Sequence, residues 1–408
     1  MPSLNVTHEL YAGLTRFSGR GVVPDLAESW DVQRGGLVWV FHLRKNLRWS
    51  DDRRLTAQDV RRSWLRALSP ATGAPLAGPD LGIVRGARAY RASGHRPVGI
   101  EAPDDRTLRV TLQHPIPWLD QLVAHPIAAP YRPGAYSGPI RLAGRFVLER
   151  NFNYWDARAV KPSRLVLTTQ TKGADAILPR GLAPPGLPWV QTAKPPTGPG
   201  WRKLPTLAVQ LLWLPQRLTK LDRATIADDV GDPSLNELVP PAMPGRDAVI
   251  SNAFVMRGRL RRQQLSLGYD PRDALASKTV GSIRANLAQA NVAVEPTAGA
   301  DGDLVLSGWS PKIFDEYNIL DLFPCGSAFN VVHWCERSYD ALMRQAVRTL
   351  DDGKRYAIER ELLGEKLRPA VPAVPLANPP EYVWLKPGVR GFSWSPIGYY
   401  ELDGLTRS

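Results

Sequence analysis

The sequence has no long apolar run. Its longest apolar stretch, within 408 residues, lies near 207–215, and Gln210 interrupts it. A helix that crosses a bilayer needs about 20 apolar residues, so no transmembrane helix is predicted. The first residues, Met1-Pro-Ser-Leu-Asn5, also lack the basic and apolar regions of a signal peptide. Three explanations stay open for that start: a shortened N-terminus, prior removal of the segment, or a protein that stays in the cytoplasm.

Cysteine is scarce, because Cys325 and Cys335 are the only two in the sequence. This count excludes a disulfide scaffold and a cysteine-rich metal site. The pair can close one loop as a disulfide in an oxidising compartment, and stays as free thiols in a reducing one. His333 lies between them, but a fourth ligand is missing and the spacing is unusual for zinc. We therefore expect an ordinary loop and no metal.

Catalytic signatures are also missing. The sequence contains no Gly-x-Ser-x-Gly elbow, no phosphate-binding Walker loop and no Gly-x-Gly-x-x-Gly turn. His8-Glu9 lacks the second histidine of a zinc-protease helix, and the six histidines are scattered. The sequence therefore predicts a binding protein rather than an enzyme, with no catalytic residues and no cofactor.

The charge balance is strongly basic. The 52 Lys and Arg residues exceed the 39 Asp and Glu residues by 13, and the isoelectric point is near 9.9. Such a balance is compatible with anionic partners but identifies none of them. The densest cluster is Arg257, Arg259, Arg261 and Arg262, which has no interleaved aromatic residues and no nucleic-acid-binding signature. A solvated surface is favoured, and no nucleic-acid partner is predicted.

Strand and helix patterns alternate along the chain. Apolar residues at every second position predict a strand over 37–44 and another that contains Leu108, Val110 and Leu112. Shorter, more fully buried strands are predicted over 164–169 and 303–307. The mixture of strands with helices predicts an α/β protein.

Helices are predicted from their starts and their apolar stripes. Thr56-Ala-Gln-Asp59 has the pattern of a capping box. Val280, Ile283 and Leu287 recur at helical spacing. Ser338 is expected to cap a helix that carries Leu342, Ala346 and Leu350.

Proline separates these elements. The sequence has 38 prolines, about twice the usual share. Segments 115–138, 184–200 and 369–380 are too rich in proline or glycine for regular structure. Within the last of them, Ala370-Val-Pro-Ala-Val-Pro-Leu376 is expected to be an extended segment that crosses between lobes.

A series of short motifs follows one order along nearly the whole chain. They are Tyr11-Ala-Gly-Leu14, Pro24-Asp-Leu-Ala-Glu-Ser-Trp30, Trp39-Val-Phe-His-Leu-Arg44, Trp49-Ser-Asp51, Leu55-Thr-Ala-Gln-Asp-Val60, Val98-Gly-Ile-Glu-Ala-Pro-Asp-Asp-Arg-Thr-Leu108, Ser137-Gly-Pro-Ile-Arg-Leu142, Leu148-Glu-Arg-Asn-Phe-Asn-Tyr-Trp155, Asp303-Leu-Val-Leu-Ser-Gly-Trp309, Ser338-Tyr-Asp-Ala-Leu342 and Pro372-Ala-Val-Pro-Leu376. In this order they resemble the family 5 solute-binding proteins of ABC importers, the group that binds oligopeptides, dipeptides and nickel.

The resemblance implies a fold and a function. The fold is a two-lobed, type II periplasmic-binding-protein clamp of the α/β class, with an extra lobe packed on the first. Implied borders are 1–28, 138–215 and 376–408 for lobe I, 29–137 for the extra lobe and 216–375 for the ligand-closing lobe. The implied function is extracytoplasmic capture of a peptide-like or other small polar solute and its delivery to a membrane permease, by a protein expected to be a monomer.

The sequence departs from the family pattern at three places. The family's leader and first strand are missing before Met1, which suggests a misplaced start or a shortened gene. Peptide-binding members carry an aspartate three residues after the Gly-Trp pair, where it receives the peptide ammonium; Lys312 stands there instead. Unpaired like charge in a buried site is costly, so an anionic or neutral solute is favoured. Segment 219–236 is short and polar, which suggests a smaller closing lobe.

Six residues are predicted to line the ligand site from their positions in the motifs. They are Tyr11, Trp309, Lys312, Asp315, Asn330 and Trp334. Tyr11 and Trp309 would supply aromatic walls with polar tips. Lys312 would set the charge preference, and Asn330 would offer a donor and an acceptor. Asp315 could take the place of the family's ammonium-binding aspartate only if the loop shifts.

Two other interpretations stay open. The same lobes occur as ligand-sensing domains of sugar-phosphate-responsive transcriptional regulators, although no DNA-binding part is present in this sequence. A degenerate paralogue that binds nothing is the third interpretation.

Overall fold

The computed structural model describes residues 4–168, 172–178, 198–231, 238–243, 263–299 and 301–408. The chain forms two compact units. The first unit contains the described residues up to 178 with Pro199–Arg202 and Val383–Ser408; the second contains Gly198 and the described residues of Lys203–Tyr382.

The strands are short and spread over both units. In chain order they are β1 Thr15–Ser18, β2 Gly21–Pro24, β3 Ala27–Gln33, β4 Val38–Leu43, β5 Ile100–Glu101, β6 Thr107–Thr111, β7 Ile140–Gly144, β8 Val147–Arg150, β9 Arg164–Val166, β10 Ala176–Ile177, β11 Trp201–Leu204, β12 Val209–Trp213, β13 Gln263–Tyr269, β14 Val292–Ala298, β15 Leu304–Trp309, β16 Ala373–Ala377, β17 Glu381–Leu385, β18 Val389–Arg390, β19 Ser393–Ser395, β20 Tyr399–Glu401 and β21 Thr406–Arg407.

The helices complete the α/β composition. They are α1 Leu4–Leu10, α2 Ala57–Leu68, α3 Ala77–Leu81, α4 Ala87–Ser93, α5 Leu119–Leu122, α6 Lys220–Val230, α7 Ala274–Gln289, α8 Tyr317–Leu320, α9 Arg337–Ala346, α10 Asp352–Glu361 and α11 Arg368–Ala370. A π-helical stretch, Leu362–Leu367, joins the last two. Within the described ranges, no helix combines the length and the apolar character needed to cross a membrane.

The first unit is built on the sheet β3-β4-β6-β5. Strand β4 confirms the pattern predicted over 37–44, and its Trp39 and Phe41 are buried. Helix α2 begins as predicted: the Thr56 backbone N–H donates to Asp59 Oδ2 at 2.8 Å, which satisfies a backbone donor at the helix start. Trp64 of this helix is fully buried, and its Nε1 donates to the carbonyl of Ala128 at 2.6 Å.

Three of the sequence motifs meet at Asp25 in the first unit. The carboxylate of Asp25, which is 3% exposed, accepts hydrogen bonds from the Tyr154 hydroxyl at 2.8 Å and from Trp155 Nε1 at 2.7 Å. Arg44 donates from Nε to the Asp25 carbonyl at 2.7 Å and lies over the Trp155 ring. The motifs around residues 25, 44 and 154 therefore depend on one another through a buried polar junction.

The second unit is built on the five-stranded sheet β14-β13-β15-β12-β16. Strands β13, β14 and β15 run parallel, whereas β12 is antiparallel to both of its neighbours. One face packs against α7, whose Val280, Ile283 and Leu287 are buried as their spacing predicts. The opposite face packs against a second apolar cluster that contains α9 and the residues after β15.

The lobe borders expected at 215/216 and 375/376 stay predictions. Strands β12 and β16 pair with each other inside the second unit, whose longest segment runs from Lys203 to Tyr382. The extended segment predicted over 370–376 forms β16, and it lies within the second unit rather than between lobes. The separation of 29–137 as an extra lobe stays a prediction.

Other sequence predictions have mixed outcomes. The strand expected over 303–307 is β15, which is buried along most of its length. The helix expected from Ser338 begins at Arg337 with Glu336 at its N-cap, and Leu350 lies beyond its end. The prediction was wrong there because Ser338 Oγ bonds to Glu336 rather than to a free backbone donor. The arginine cluster at 257–262 and most of 184–200 lie outside the described residues.

The two cysteines form a disulfide. Cys325 and Cys335 are joined with their Cα atoms 4.5 Å apart, which resolves the alternative that the sequence leaves open. The bond closes the segment that connects α8 to α9. It therefore restrains a connection that has no helix or strand of its own within the described residues.

The Asp25 junction gives a stability prediction. Asp25→Ala leaves Tyr154 and Trp155 without their acceptor, so we expect the free energy of unfolding to fall by about 2–4 kcal/mol. Asp25→Asn, which keeps an acceptor oxygen, should recover part of the loss in urea denaturation. Asp31→Ala, at an exposed carboxylate, is the matched control. Equal effects of Asp25→Ala and Asp31→Ala would contradict the role assigned to the junction.

The disulfide gives a second prediction. Closing a loop of this length removes conformational entropy from the unfolded chain, so Cys325→Ser with Cys335→Ser should lower stability by about 2–3 kcal/mol. Reducing the wild-type protein should reproduce the loss, and the double variant should not respond to reductant. Identical denaturation curves for oxidised and reduced wild-type protein would show that the bond does not stabilise the fold.

Candidate functional site

A cavity of about 630 Å³ opens in the second unit. It lies where the parallel strands β13, β14 and β15 end, beside the N-terminus of α7. The chain continues from β13 through α7 to β14 on one side, and returns to β15 on the other. Ligands of open α/β sheets bind at such an edge, where the connections diverge. The cavity is therefore the candidate binding site of this unit.

Aromatic and aliphatic side chains form most of the cavity wall. Leu211, Trp213, Val305 and Trp309 share one face of the β12–β15 pair, because alternate residues of a strand point the same way. Phe329 completes this wall from the disulfide-closed loop, edge-on to Trp309 with ring centroids 4.6 Å apart. The other lining residues are Asp270, Pro271, Arg272, Asp273, Ala276, Ala298, Gly299, Leu306, Ser307, Gly308, Leu322, Ala328 and Val331.

The charged residues of the wall are already engaged within the protein. Arg272 donates from Nη2 to Asp270 Oδ2 at 2.7 Å and from Nε to Asp270 Oδ1 at 3.0 Å. These side-chain bonds, together with the backbone N–H of Arg272, hold the pKa of Asp270 below its ordinary value. Asp273 caps α7 by accepting from the backbone N–H groups of Leu275 and Ala276. The wall therefore presents little uncompensated charge to a ligand.

Trp309, unlike these charged residues, has a polar group that is not engaged by the described residues. The residue is 7% exposed, and its Nε1 is buried with no hydrogen-bond partner among the described residues. Trp213, on the neighbouring strand, donates from Nε1 to Ser307 Oγ at 2.9 Å. Buried indole donors usually find an acceptor. Trp309, a residue of the cavity wall, therefore has a buried indole donor that no described residue satisfies.

Lys312 does not line the cavity. Its backbone N–H donates to Asn318 Oδ1 at 2.8 Å. Burial raises the pKa of Asp321 to about 6, and the positive charge of Lys312 opposes that rise. The lysine charge thus acts on a carboxyl group of its own unit, and its predicted control of ligand charge stays a prediction.

Asp315 is held in a buried ion pair. Its Oδ2 accepts from Arg355 Nε at 2.9 Å and lies 2.8 Å from Arg355 Nη2, and the residue is 1% exposed. Glu359, which is fully buried, lies beside this pair on α10. Burial, then the negative charge of Asp315, raise the pKa of Glu359 far above its ordinary value of 4.5. Glu359 therefore keeps a proton, while Asp315 pairs with Arg355.

Asn330 and Trp334 brace the loop after α8. Asn330 Nδ2 donates to the carbonyl of Trp334 at 2.6 Å, and the Trp334 N–H donates to Asn330 Oδ1 at 3.0 Å. The Trp334 ring is 5% exposed and stands edge-on to Tyr339. Both side chains are committed to the fold, and neither lines the cavity.

Tyr11 belongs to the first unit. Its ring lies 5.6 Å from the rings of both Tyr131 and Tyr136, measured between centroids. Burial, assisted by these two phenols, raises the pKa of its hydroxyl. Tyr11 is half-buried in this cluster, and its role in ligand binding stays a prediction.

Of the six predicted site residues, Trp309 alone is among the described residues that line the cavity. Sequence reasoning missed Trp213, Arg272 and Phe329. A usable signal existed for Trp213, because it lies two residues from Leu211 in the predicted apolar stretch. Phe329 had no pattern of its own, and Arg272 enters the wall only through the turn between β13 and α7. Within the described ranges, no cluster of His, Cys, Asp or Glu is arranged to hold a metal ion.

The protonated Glu359 gives a prediction about pH. The unfolded chain releases this proton near pH 4.5 and the folded protein keeps it, so its stabilising effect is complete below pH 4.5 and declines as pH rises. Glu359→Gln cannot titrate. Between pH 5 and 8, the free energy of unfolding of the wild type should therefore fall relative to that of the variant by up to about 1.4 kcal/mol per pH unit.

Glu361→Gln is the matched control, since Glu361 is exposed on the same helix. It should leave the pH dependence of stability unchanged in urea denaturation. If the Glu359→Gln difference is constant across this pH range, Glu359 is not the proton carrier that we describe.

Comparisons with known proteins agree with this architecture. Residues 21–178 match the family model for the middle part of bacterial extracellular solute-binding proteins, family 5. The probable deoxycholate-binding periplasmic protein YgiS of Escherichia coli is 28% identical, over 93% of this chain and 87% of its own. The periplasmic oligopeptide-binding protein OppA of the same organism is 35% identical, over 38% of this chain and 33% of its own.

Among solved structures, the open, unliganded form of the periplasmic murein tripeptide-binding protein MppA has a TM-score of 0.79 at 18% identity. The match covers 100% of this chain and 93% of that one. This likeness shows the fold of the two-lobed periplasmic binding proteins. The matched family model and the relatives make the chain similar to the family 5 bacterial extracellular solute-binding proteins.

Proposed function

We propose that this protein is the solute-binding component of an ABC-type importer. It captures a small solute without changing it and delivers the solute to a permease in the membrane. The observation that carries this proposal is the cavity at the carboxyl ends of β13, β14 and β15, in a chain with this family's fold. The described site offers apolar contact surface and the buried indole donor of Trp309, whereas a catalyst needs a nucleophile or an acid and a base in reach of each other.

The relatives suggest two solute classes. OppA and MppA are oligopeptide- and murein tripeptide-binding proteins by name, and YgiS is a probable deoxycholate-binding protein. YgiS matches nearly the whole chain, and the apolar wall around Trp309 suits an amphipathic acid with a large apolar body. The names of the peptide-binding relatives make peptides the first candidate class of solute. The apolar cavity wall makes amphipathic acids the second.

The similarity to family 5 also supports a proposal for the cellular setting. We propose an extracytoplasmic location, in which the Cys325–Cys335 disulfide would be stable. The permease of an ABC importer is the proposed protein partner. The solute-binding component is expected to act as a monomer, without nucleic acid, metal or cofactor.

Thermal unfolding with a solute panel tests this proposal. The panel contains free tripeptides, their N-acetylated forms, deoxycholate and sugar phosphates. A ligand at 100 times its dissociation constant stabilises the folded protein by about 2.7 kcal/mol, so at least one class should raise Tm in a dose-dependent way. Mass spectrometry of the recovered solute should show no chemical change.

Trp309→Ala should abolish the shift, and Phe152→Ala, at an aromatic side chain 76% exposed in the first unit, should preserve it. The proposal fails if no class raises Tm, or if the recovered solute has been converted to a product. Stabilisation by sugar phosphates alone would favour a ligand-sensing domain of a regulator instead.

A further inference from the structure

We infer that the cavity in the second unit selects solutes that carry a bulky, uncharged apolar group with a hydrogen-bond acceptor on it. The inference rests on the proposed function, and it names the chemical class that the cavity takes. It differs from the expectation of a polar solute that the sequence alone supports.

The apolar walls are the first argument. Trp309, Phe329 and Trp213 provide three aromatic rings around one opening, with Leu211 and Val305 between them. Phe329 is 42% exposed, which is a large apolar surface to leave in water. A ring system that enters the cavity covers this surface and gains contact with several rings at once. A polar group placed against these rings would lose its water and gain no hydrogen-bond partner from them.

The absence of available charge is the second argument. Among the described lining residues, the carboxylate of Asp270 is bound by Arg272, and that of Asp273 caps α7. Asp315, the nearest carboxylate along the chain to the position expected to receive an ammonium group, is bound by Arg355. An ammonium group that enters this cavity would therefore lose its water without meeting an available carboxylate, which is strongly unfavourable. The group inside must be uncharged.

The indole donor of Trp309 is the third argument. Its Nε1 is buried and has no partner among the described residues, although Trp213 beside it bonds to Ser307. Leaving a buried donor unsatisfied costs free energy that a bound acceptor recovers. A carbonyl, ether or hydroxyl oxygen on the apolar group would accept from Trp309. The cavity thus recognises shape through its rings and orientation through one hydrogen bond.

Fluorescent and competitor probes of defined chemistry test this inference on the full chain. N-phenyl-1-naphthylamine is apolar and has no carbonyl, and its emission rises in an apolar site. It should bind saturably at a single site. Two competitors differ by one group: 1-(1-naphthyl)ethylamine is a cation at pH 7, and its N-acetyl amide is uncharged and carries a carbonyl. The amide should displace the probe, and the cation should displace it at least about tenfold less well.

Two variants separate the donor from the rings. Trp309→Phe keeps the ring and removes the N–H, so it should weaken the amide by about fivefold and change the affinity of the naphthylamine probe by less than about twofold. Phe329→Ser removes a ring and should weaken both ligands by about tenfold. Phe146→Ser, at an aromatic side chain 55% exposed in the first unit, is the control and should change neither affinity.

The outcomes distinguish this inference from the proposed function. If panel solutes stabilise the protein but the probe does not bind, or if the cation competes as well as the amide, the inference is wrong and the proposed function stands. If Trp309→Phe weakens the amide and the probe equally, the indole donor has no specific role and the acceptor part is wrong. If neither solutes nor probes bind, the proposed function fails together with the inference.

Discussion

The buried ion pair between Asp315 and Arg355 determines the chemistry of the second unit. An unpaired carboxylate is unfavourable when it is buried, because it loses its water. Arg355 supplies the opposite charge and the hydrogen bonds that stabilise Asp315 at this buried position. The pair lies six residues after Trp309 and fixes the chain beyond β15. Asp315 is therefore engaged, and the two carboxylates of the described cavity lining, Asp270 and Asp273, are bound by Arg272 and by backbone N–H groups. Aromatic rings and the indole N–H of Trp309 mark the rest of the described wall.

Much of the fold follows from local sequence patterns. Alternation predicts β4 and β15, and helical spacing predicts α7, because each pattern needs only one apolar face to be buried. The unit borders could not be predicted in the same way. Strands β12 and β16 belong to one sheet although about 160 residues separate them, and a local pattern does not record such a pairing. The motifs that meet at Asp25 are likewise brought together by tertiary packing.

The site was less predictable than the fold. Trp309 follows from its motif position, since a residue at the end of a parallel strand lies at the ligand edge of the sheet. Asn330 and Trp334 have the chemistry of ligand-binding residues, but each bonds to the other and braces a loop. The partner of Asp315 lies 40 residues away in the sequence. Residue type and position alone therefore could not separate structural polar groups from ligand-binding ones.

The indole proton of Trp309 reports most directly on the account as a whole. Tryptophan labelled with ¹⁵N on the indole gives one signal for each Nε1–H, and the Trp309 signal is assigned by its loss in Trp309→Phe. The account predicts that this signal moves downfield when the N-acetyl naphthyl amide or a stabilising solute saturates the protein, because the proton gains an acceptor. A Trp309 signal that stays in place while the ligand is bound would contradict it.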